Sequence, residues 1–330
     1  ANPRAAKPAL FGARTEILDG IYPSIADCSP SSRPSRTLMA YLTNRFDFDL
    51  PSEAASASSK SGKFTFDTLL YVNTPSGLPQ IPARAELAEL DWRTWFPQGG
   101  VLICRPEPGN AVPFAACLKG GNNDEHHNHN DVGTFMVVSG QTMLIYDPGS
   151  EVYTKRTFSS HRYDSKVLSS FGHAVPVITG KLQREGAAAR GEVLATRFSP
   201  EQDTLRLDIK SAYNVPELTR LEREFTFRRG SAPSLAITDT IGFTKPATYE
   251  TALITWGNWK RLNPHELEIR DGKDAVRILI DAGKNEIEVT SETLDEDVHT
   301  KTQPVRIGLK LKQPITEGQF KLTVSPAKEK

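Results

Sequence analysis

Three of the chain's seven histidines, His126, His127 and His129, fall within four positions of one glycine-flanked run, residues 120–133, beside Asp124, Glu125 and Asp131. Imidazoles and carboxylates at this density can bind a metal ion or move protons near neutral pH. If His127 and His129 sit on a strand, a spacing of two turns both rings to one face and toward one site. A hairpin is expected next, with Val132–Val138 and Thr142–Tyr146 joined at Ser139-Gly140, and it brings Asp147 back toward the same end. His173 follows, just before another apolar run. Two imidazoles and a carboxylate suit Zn²⁺ with one position left for water.

These side chains must be held by a framework, and most of the chain reads as one made of strands. From about residue 86 onward short apolar runs recur, many alternating cleanly, as in Leu205 to Ile209 and Phe225 to Phe227. Such alternation marks antiparallel sheets with one buried face. The strand candidates are 100–105, 112–118, 132–138, 142–146, 174–179, 204–211, 221–227, 235–241, 249–256, 266–270, 276–280, 286–289, 305–311 and 319–324. More than ten strands imply a large antiparallel β-sandwich. Residues 1–85 differ in texture. Short helix-compatible pieces at Arg36–Arg45 and Phe64–Tyr71 flank a Ser/Ala-rich linker, Ser52–Ser59, and pieces so short need something to pack against. The expected division is therefore 1–85, helical with a linker, and 86–330, sandwich.

Composition narrows the function. At 330 residues the chain is roughly twice the ~150-residue prior for one domain. Forty Lys and Arg balance forty Asp and Glu, so the whole chain carries no signature of a nucleic-acid binder. No apolar run approaches the ~20 residues a membrane span needs. Cys28, Cys104 and Cys117 match neither a zinc-binding pair nor a disulfide framework. The first residues lack the apolar core of a secretory signal, which favours a chain that starts inside a longer gene product. One stretch is locally basic, with Lys155, Arg156, His161, Arg162 and Lys166, and would suit an acidic polymer. No GxGxxG after a strand and no GxxxxGK[ST] is present, which excludes the nucleotide-binding α/β folds.

The block from His127-Asn-His-Asn-Asp-Val-Gly-Thr-Phe135 through Asp147-Pro-Gly-Ser-Glu-Val-Tyr-Thr154 and Thr157-Phe-Ser-Ser-His-Arg-Tyr163 to Ser-Phe-Gly-His173 resembles the C-terminal β-sandwich of the heparinase II/III-like polysaccharide lyases. Asp19-Gly-Ile-Tyr-Pro23 likewise resembles the last turns of the helical domain that precedes it in that family. The resemblance implies an (α/α) toroid N-terminal to the sandwich, with residues 1 to about 85 as its tail. It implies a structural zinc on His129, Asp147 and His173, with His127 facing the cleft as a catalytic or positioning imidazole. Tyr153, Tyr163 and Arg162 match the family's habit of placing tyrosines after the Asp-Pro-Gly turn. The family also places an Asn and a Tyr on the toroid, and neither has a located counterpart in these residues. The implied activity is β-elimination on a uronic-acid polysaccharide such as a glycosaminoglycan or alginate, in the periplasm or outside the cell.

Two other classes fit parts of the pattern. A cupin-like metal oxygenase or isomerase also opens a strand with H-x-H, yet expects a Glu shortly after, where this chain has Gly133, Thr134 and Phe135. A non-catalytic, zinc-stapled carbohydrate-binding module would keep the metal and have no use for His127.

Overall fold

Alternation builds the largest sheet. Over 221–227 and 235–243 every second side chain is buried, so Leu221, Phe225 and Phe227 on one strand and Leu235, Ile237 and Ile241 on the next face inward, with Arg223 and Asp239 among them, while Glu222, Glu224, Thr238 and Thr240 face out. The computed structural model describes residues 6–35, 39, 42, 92–300 and 302–327.

Eight antiparallel strands make this sheet, in the order Asn258–Asn263, Glu266–Asp271, Asp274–Asp281, Ile315–Pro326, Ser234–Ala247, Leu218–Arg228, Gln202–Asp208 and Glu192–Phe198. The last strand of the chain, Ile315–Pro326, thus lies in its middle. A five-stranded sheet packs against it, ordered Arg93–Phe96, Val101–Cys104, Phe114–Lys119, Phe135–Ser139 and Thr142–Ile145. A four-stranded sheet, Ile287–Thr293, Val305–Leu311, Tyr249–Thr255 and Val177–Ile178, shares the same core. Asn122–Asn123 and Gly186–Arg190 form a small ribbon. The chain is mainly β, a large antiparallel sandwich, as its alternation predicts. Phe114 stacks on Phe227 with ring centroids 5.8 Å apart, and Phe135 meets Phe225 edge to face at 6.0 Å, fixing the separation of the two sheets.

The five-stranded sheet is buried on both faces. Phe135 and Val137 enter the main core, whereas their neighbours Met136 and Val138 point the other way, into a second core with Ile103, Ala115, Cys117 and Met143. This explains the unbroken apolar run there. The second core is closed by the N-terminal segment, which contributes Ile17, Leu18, Ile21 and Ile25. Arg105 donates to the carbonyls of Arg14 and Glu16 and pins that segment to the sheet.

Among the described residues the expected end of a helical toroid is not evident. Two helices of four and five residues, Ala6–Ala9 and Phe11–Thr15, precede extended chain lying on the sheet. Of the piece at 36–45 only Met39 and Leu42 are described, both helical, and Ser52–Ser59 and Phe64–Tyr71 fall outside the described residues. The expected hairpin is present, with Ser139 opposite Thr142 and Gly140 at φ 66°. A β-carbon at Gly140 would run into the Asp274 carboxylate, which accepts from Gln141 N and Thr142 Oγ1.

A charge pair lies within the main core. Arg223, fully buried, sits directly opposite Asp239 and donates to both of its carboxylate oxygens at 2.7 and 2.6 Å. Its Nη1 donates to Gly133 O and Ala174 O, each at 2.8 Å, and the second hydrogen of Nη2 goes to Thr251 Oγ1 at 3.2 Å. Tyr249 donates to Asp239 as well. Removing one member of a buried pair strands the other in low dielectric. Arg223→Met is therefore expected to lower the unfolding free energy by about 3–5 kcal/mol in urea titrations, and a loss below about 1 kcal/mol would show that the pair is dispensable.

Candidate metal centre and cleft

His129, Asp147 and His173 are all buried, and one donor atom from each lies within 4.8 Å of the others. His129 leaves the turn after Asn122–Asn123, Asp147 follows the hairpin strand Thr142–Ile145, and His173 ends the short 3₁₀ turn Ser170–Gly172. His173 Nδ1 is 3.2 Å from Asp147 Oδ2, and Asp147 Oδ1 accepts from Gly149 N at 3.0 Å. Burial opposes charge on both partners, yet their contact prevails: the Asp147 carboxyl is held below the usual carboxylate range and the His173 imidazole above its own. Two buried nitrogens, His129 Nδ1 and His173 Nε2, have no hydrogen-bond partner among the described residues. Orphaned imidazole nitrogens beside a buried carboxylate fit a divalent ion, and this group could hold one.

The histidine pair does not lie on a strand, contrary to the expectation from its spacing. Residues 124–130 form a turn, and His127 has φ 57°, a left-handed conformation uncommon for a residue with a side chain. The two rings separate: His129 is buried, whereas the His127 side chain is 61% exposed at the cleft. With no strand opening at H-x-H, the geometry of the cupin pattern is missing too.

What rejoins them is Asp27, a residue that spacing could not flag because it stands about a hundred positions upstream. Its carboxylate accepts from His127 Nδ1 at 3.0 Å, His129 Nε2 at 3.0 Å, Tyr153 Oη at 2.8 Å and Arg162 Nη2 at 2.9 Å. Burial would raise its carboxyl, but the hydrogen bonds from His129, Tyr153 and His127 hold it well below the usual range. Ser24 Oγ, donating to Asp147 O at 2.6 Å, fixes the strand of chain that delivers it. The only sequence signal nearby was the Asp19–Pro23 resemblance a few residues upstream.

Tyr153 also lies 3.2 Å from His127 Nδ1, and partial burial together with the Asp27 carboxylate pushes its phenol up to about 12. Tyr163 Oη accepts from Asn128 Nδ2 at 3.1 Å. Arg162 is held by the carbonyls of Asn128 and Thr157 besides Asp27, so its guanidinium orders the loop. The neighbouring basic run is largely matched within the chain: Arg156 by Glu151 and Glu296, His161 by Asp164, Lys166 by Glu292. Lys155 is exposed. An open cleft of about 330 Å³ is lined by Glu125, His126, His127, Phe158, Arg162 and Tyr163. A larger hollow of about 650 Å³ beside the N-terminal segment, lined by Phe11, Tyr22, Ile25, Phe96 and Val101, has no histidine or carboxylate among the described residues that line it. Cys28, Cys104 and Cys117 are all free thiols.

The donor set makes a direct prediction. After dialysis without added metal, elemental mass spectrometry is expected to find near-stoichiometric divalent metal in the wild-type chain. His129→Ala should lose both the metal and several degrees of melting temperature, since an ion bound only by the folded state stabilises it. Full occupancy in that variant would overturn the ligand assignment.

No protein-family model and no curated protein matches the chain. Solved structures do. One described as a heparinase III gene product superposes with a TM-score of 0.68 at 12% identity, covering 97% of this chain and 46% of that one. A heparan sulfate lyase from Pedobacter heparinus gives 0.65 at 13% identity, covering 98% and 46%. A further heparinase III gives 0.64 at 12%, covering 99% and 48%. The chain shares the fold of the heparinase III and heparan sulfate lyase structures and spans about half their length.

Proposed function

We propose that this chain is the sandwich part of a polysaccharide lyase that cleaves a uronic-acid-containing acidic polymer by β-elimination. The observation that supports this most directly is an exposed imidazole, His127, lining a cleft with the Tyr153 hydroxyl 3.2 Å from its Nδ1, in a fold shared with heparan sulfate lyases. In such a reaction a base removes the proton α to the uronate carboxylate, the C4–O bond breaks as the C4=C5 double bond forms, and the departing oxygen takes a proton.

His127 Nδ1 faces Asp27, which leaves Nε2 to accept the proton. Tyr153 stays a phenol through neutral pH and is suited to protonate the leaving oxygen. Tyr163, lining the same cleft, is the second candidate donor. The substrate carboxylate also needs a cation. Arg162 reaches the cleft but is already bonded to Asp27, so in this reading it fixes the loop and shares the task with Lys155 or with groups on a preceding helical toroid. Zinc on His129, Asp147 and His173, when bound, would tie together three loops and hold His127 in place without touching the reacting atoms. In this reading the enzyme acts on such polymers in the periplasm or outside the cell. Among the described residues no helix is long and apolar enough to cross a membrane.

The test is incubation of the full-length protein with heparan sulfate, alginate and other uronate polymers, following the ultraviolet absorbance of unsaturated uronate. His127→Ala is expected to lose roughly 10²-fold or more in turnover while its metal content stays at the wild-type level. Tyr153→Phe should lose turnover with little change in melting temperature. Polymer binding by the wild type with no unsaturated product from any of them would instead favour the carbohydrate-binding module.

A further inference from the structure

Asp27 belongs to none of the strands, yet four donors converge on its carboxylate, and that side chain is only 4% exposed. The donors divide evenly. Oδ1 takes His129 Nε2 and Arg162 Nη2, and Oδ2 takes His127 Nδ1 and Tyr153 Oη. An ionised carboxylate has lone pairs and no proton to give, so an imidazole nitrogen facing it must carry the hydrogen. A neutral imidazole then keeps its lone pair on the opposite nitrogen.

We propose that Asp27 is the positioning residue of this site, and that it sets the tautomers of His127 and His129 in opposite senses. On His129 the proton is fixed at Nε2, which turns the lone pair of Nδ1 toward Asp147 and His173. On His127 the proton is fixed at Nδ1, which turns the lone pair of Nε2 to the cleft. The role given to His127 rests on the lyase reading above, whereas the role given to His129 does not.

Three observations support the assignment. His129 Nδ1 is one of the buried nitrogens with no hydrogen-bond partner among the described residues, as an atom reserved for a metal should be. Arg162 Nη2 pairs with Asp27 Oδ1 at 2.9 Å, so the carboxylate has a cation beside it other than the two rings. Asp27 is also rigidly delivered, with Ala26 at φ 57°, Ser24 Oγ on the carbonyl of Asp147, and Ile25 packed against the second core. One carboxylate thereby couples the two histidines. It acts on the reaction only through His127 and Tyr153, and on the metal only through His129.

The experiment is long-range ¹H–¹⁵N correlation of the imidazoles in histidine-labelled, metal-free protein at about pH 8, above the ordinary imidazole range. In the wild type His129 is expected to be protonated at Nε2 and His127 at Nδ1. Either ring found in the other form overturns the proposal, without recourse to any variant. In Asp27→Asn the amide NH₂ can only donate, so the nitrogen facing it becomes an acceptor and at least one of the two rings should change tautomer. The same variant should bind zinc roughly 10–100-fold more weakly in a chelator competition, and should lower kcat while leaving KM nearly unchanged. Unchanged tautomers and unchanged zinc affinity in that variant would also overturn the proposal. Tautomers as expected, in a protein that forms no unsaturated product, would sustain the role of Asp27 and remove only the lyase reading.

Discussion

A guanidinium buried in the core of a β-sandwich holds only if every donor finds an acceptor, and in this molecule meeting that condition is what ties the site to the framework. Arg223 satisfies Asp239 across the strand ladder and still has donors to place. They go to the carbonyls of Gly133 and Ala174, the first at the end of the histidine turn and the second immediately after His173. Two of the loops that carry metal-ligand candidates are therefore hung from the largest sheet by one side chain. In low dielectric such bonds are strong when complete and costly when any is missing, which gives the loops a fixed origin.

The other anchor comes from outside the sheets. The N-terminal segment covers the second face of the five-stranded sheet, and in doing so carries Asp27 to the histidines. The same apolar contacts that bury Ile17 and partly cover Ile25 thus also set a carboxylate opposite two imidazoles. Packing and chemistry are not separable in this segment, because the residues that close the core determine where the acid sits. Arg162, which by type alone suited an anionic polymer, is instead held by that acid and by two carbonyls, a reminder that a basic loop commonly needs its charges to fold itself.

Much of this was legible in the sequence, for identifiable reasons. The long strands alternate, and Val305–Leu311 lies where its pattern puts it. The hairpin at Gly140 follows from a glycine turn between apolar runs. Asp147 and His173 stand out by type beside the H-x-H, and the structure brings all three ligand candidates together. Other features left no mark. Glu192–Phe198 is an edge strand with nearly every residue exposed, so it has no period to detect. The turn at His127 needs a positive φ that neither histidine nor its neighbours announce. Asp27 is invisible to any local reading, since its partners lie 100 to 135 positions away.

The position of Ile315–Pro326 bears on how the protein is made. Because this strand fills the middle of the eight-stranded sheet, between Asp274–Asp281 and Ser234–Ala247, the sheet cannot close until residue 326 has been synthesised and is free to pair. Pairings this distant in sequence form slowly, and the unfinished edges on either side wait exposed until they do. Asp239, the partner of Arg223, lies on the strand next to that gap. The histidines are thus synthesised long before the framework that aligns them is complete.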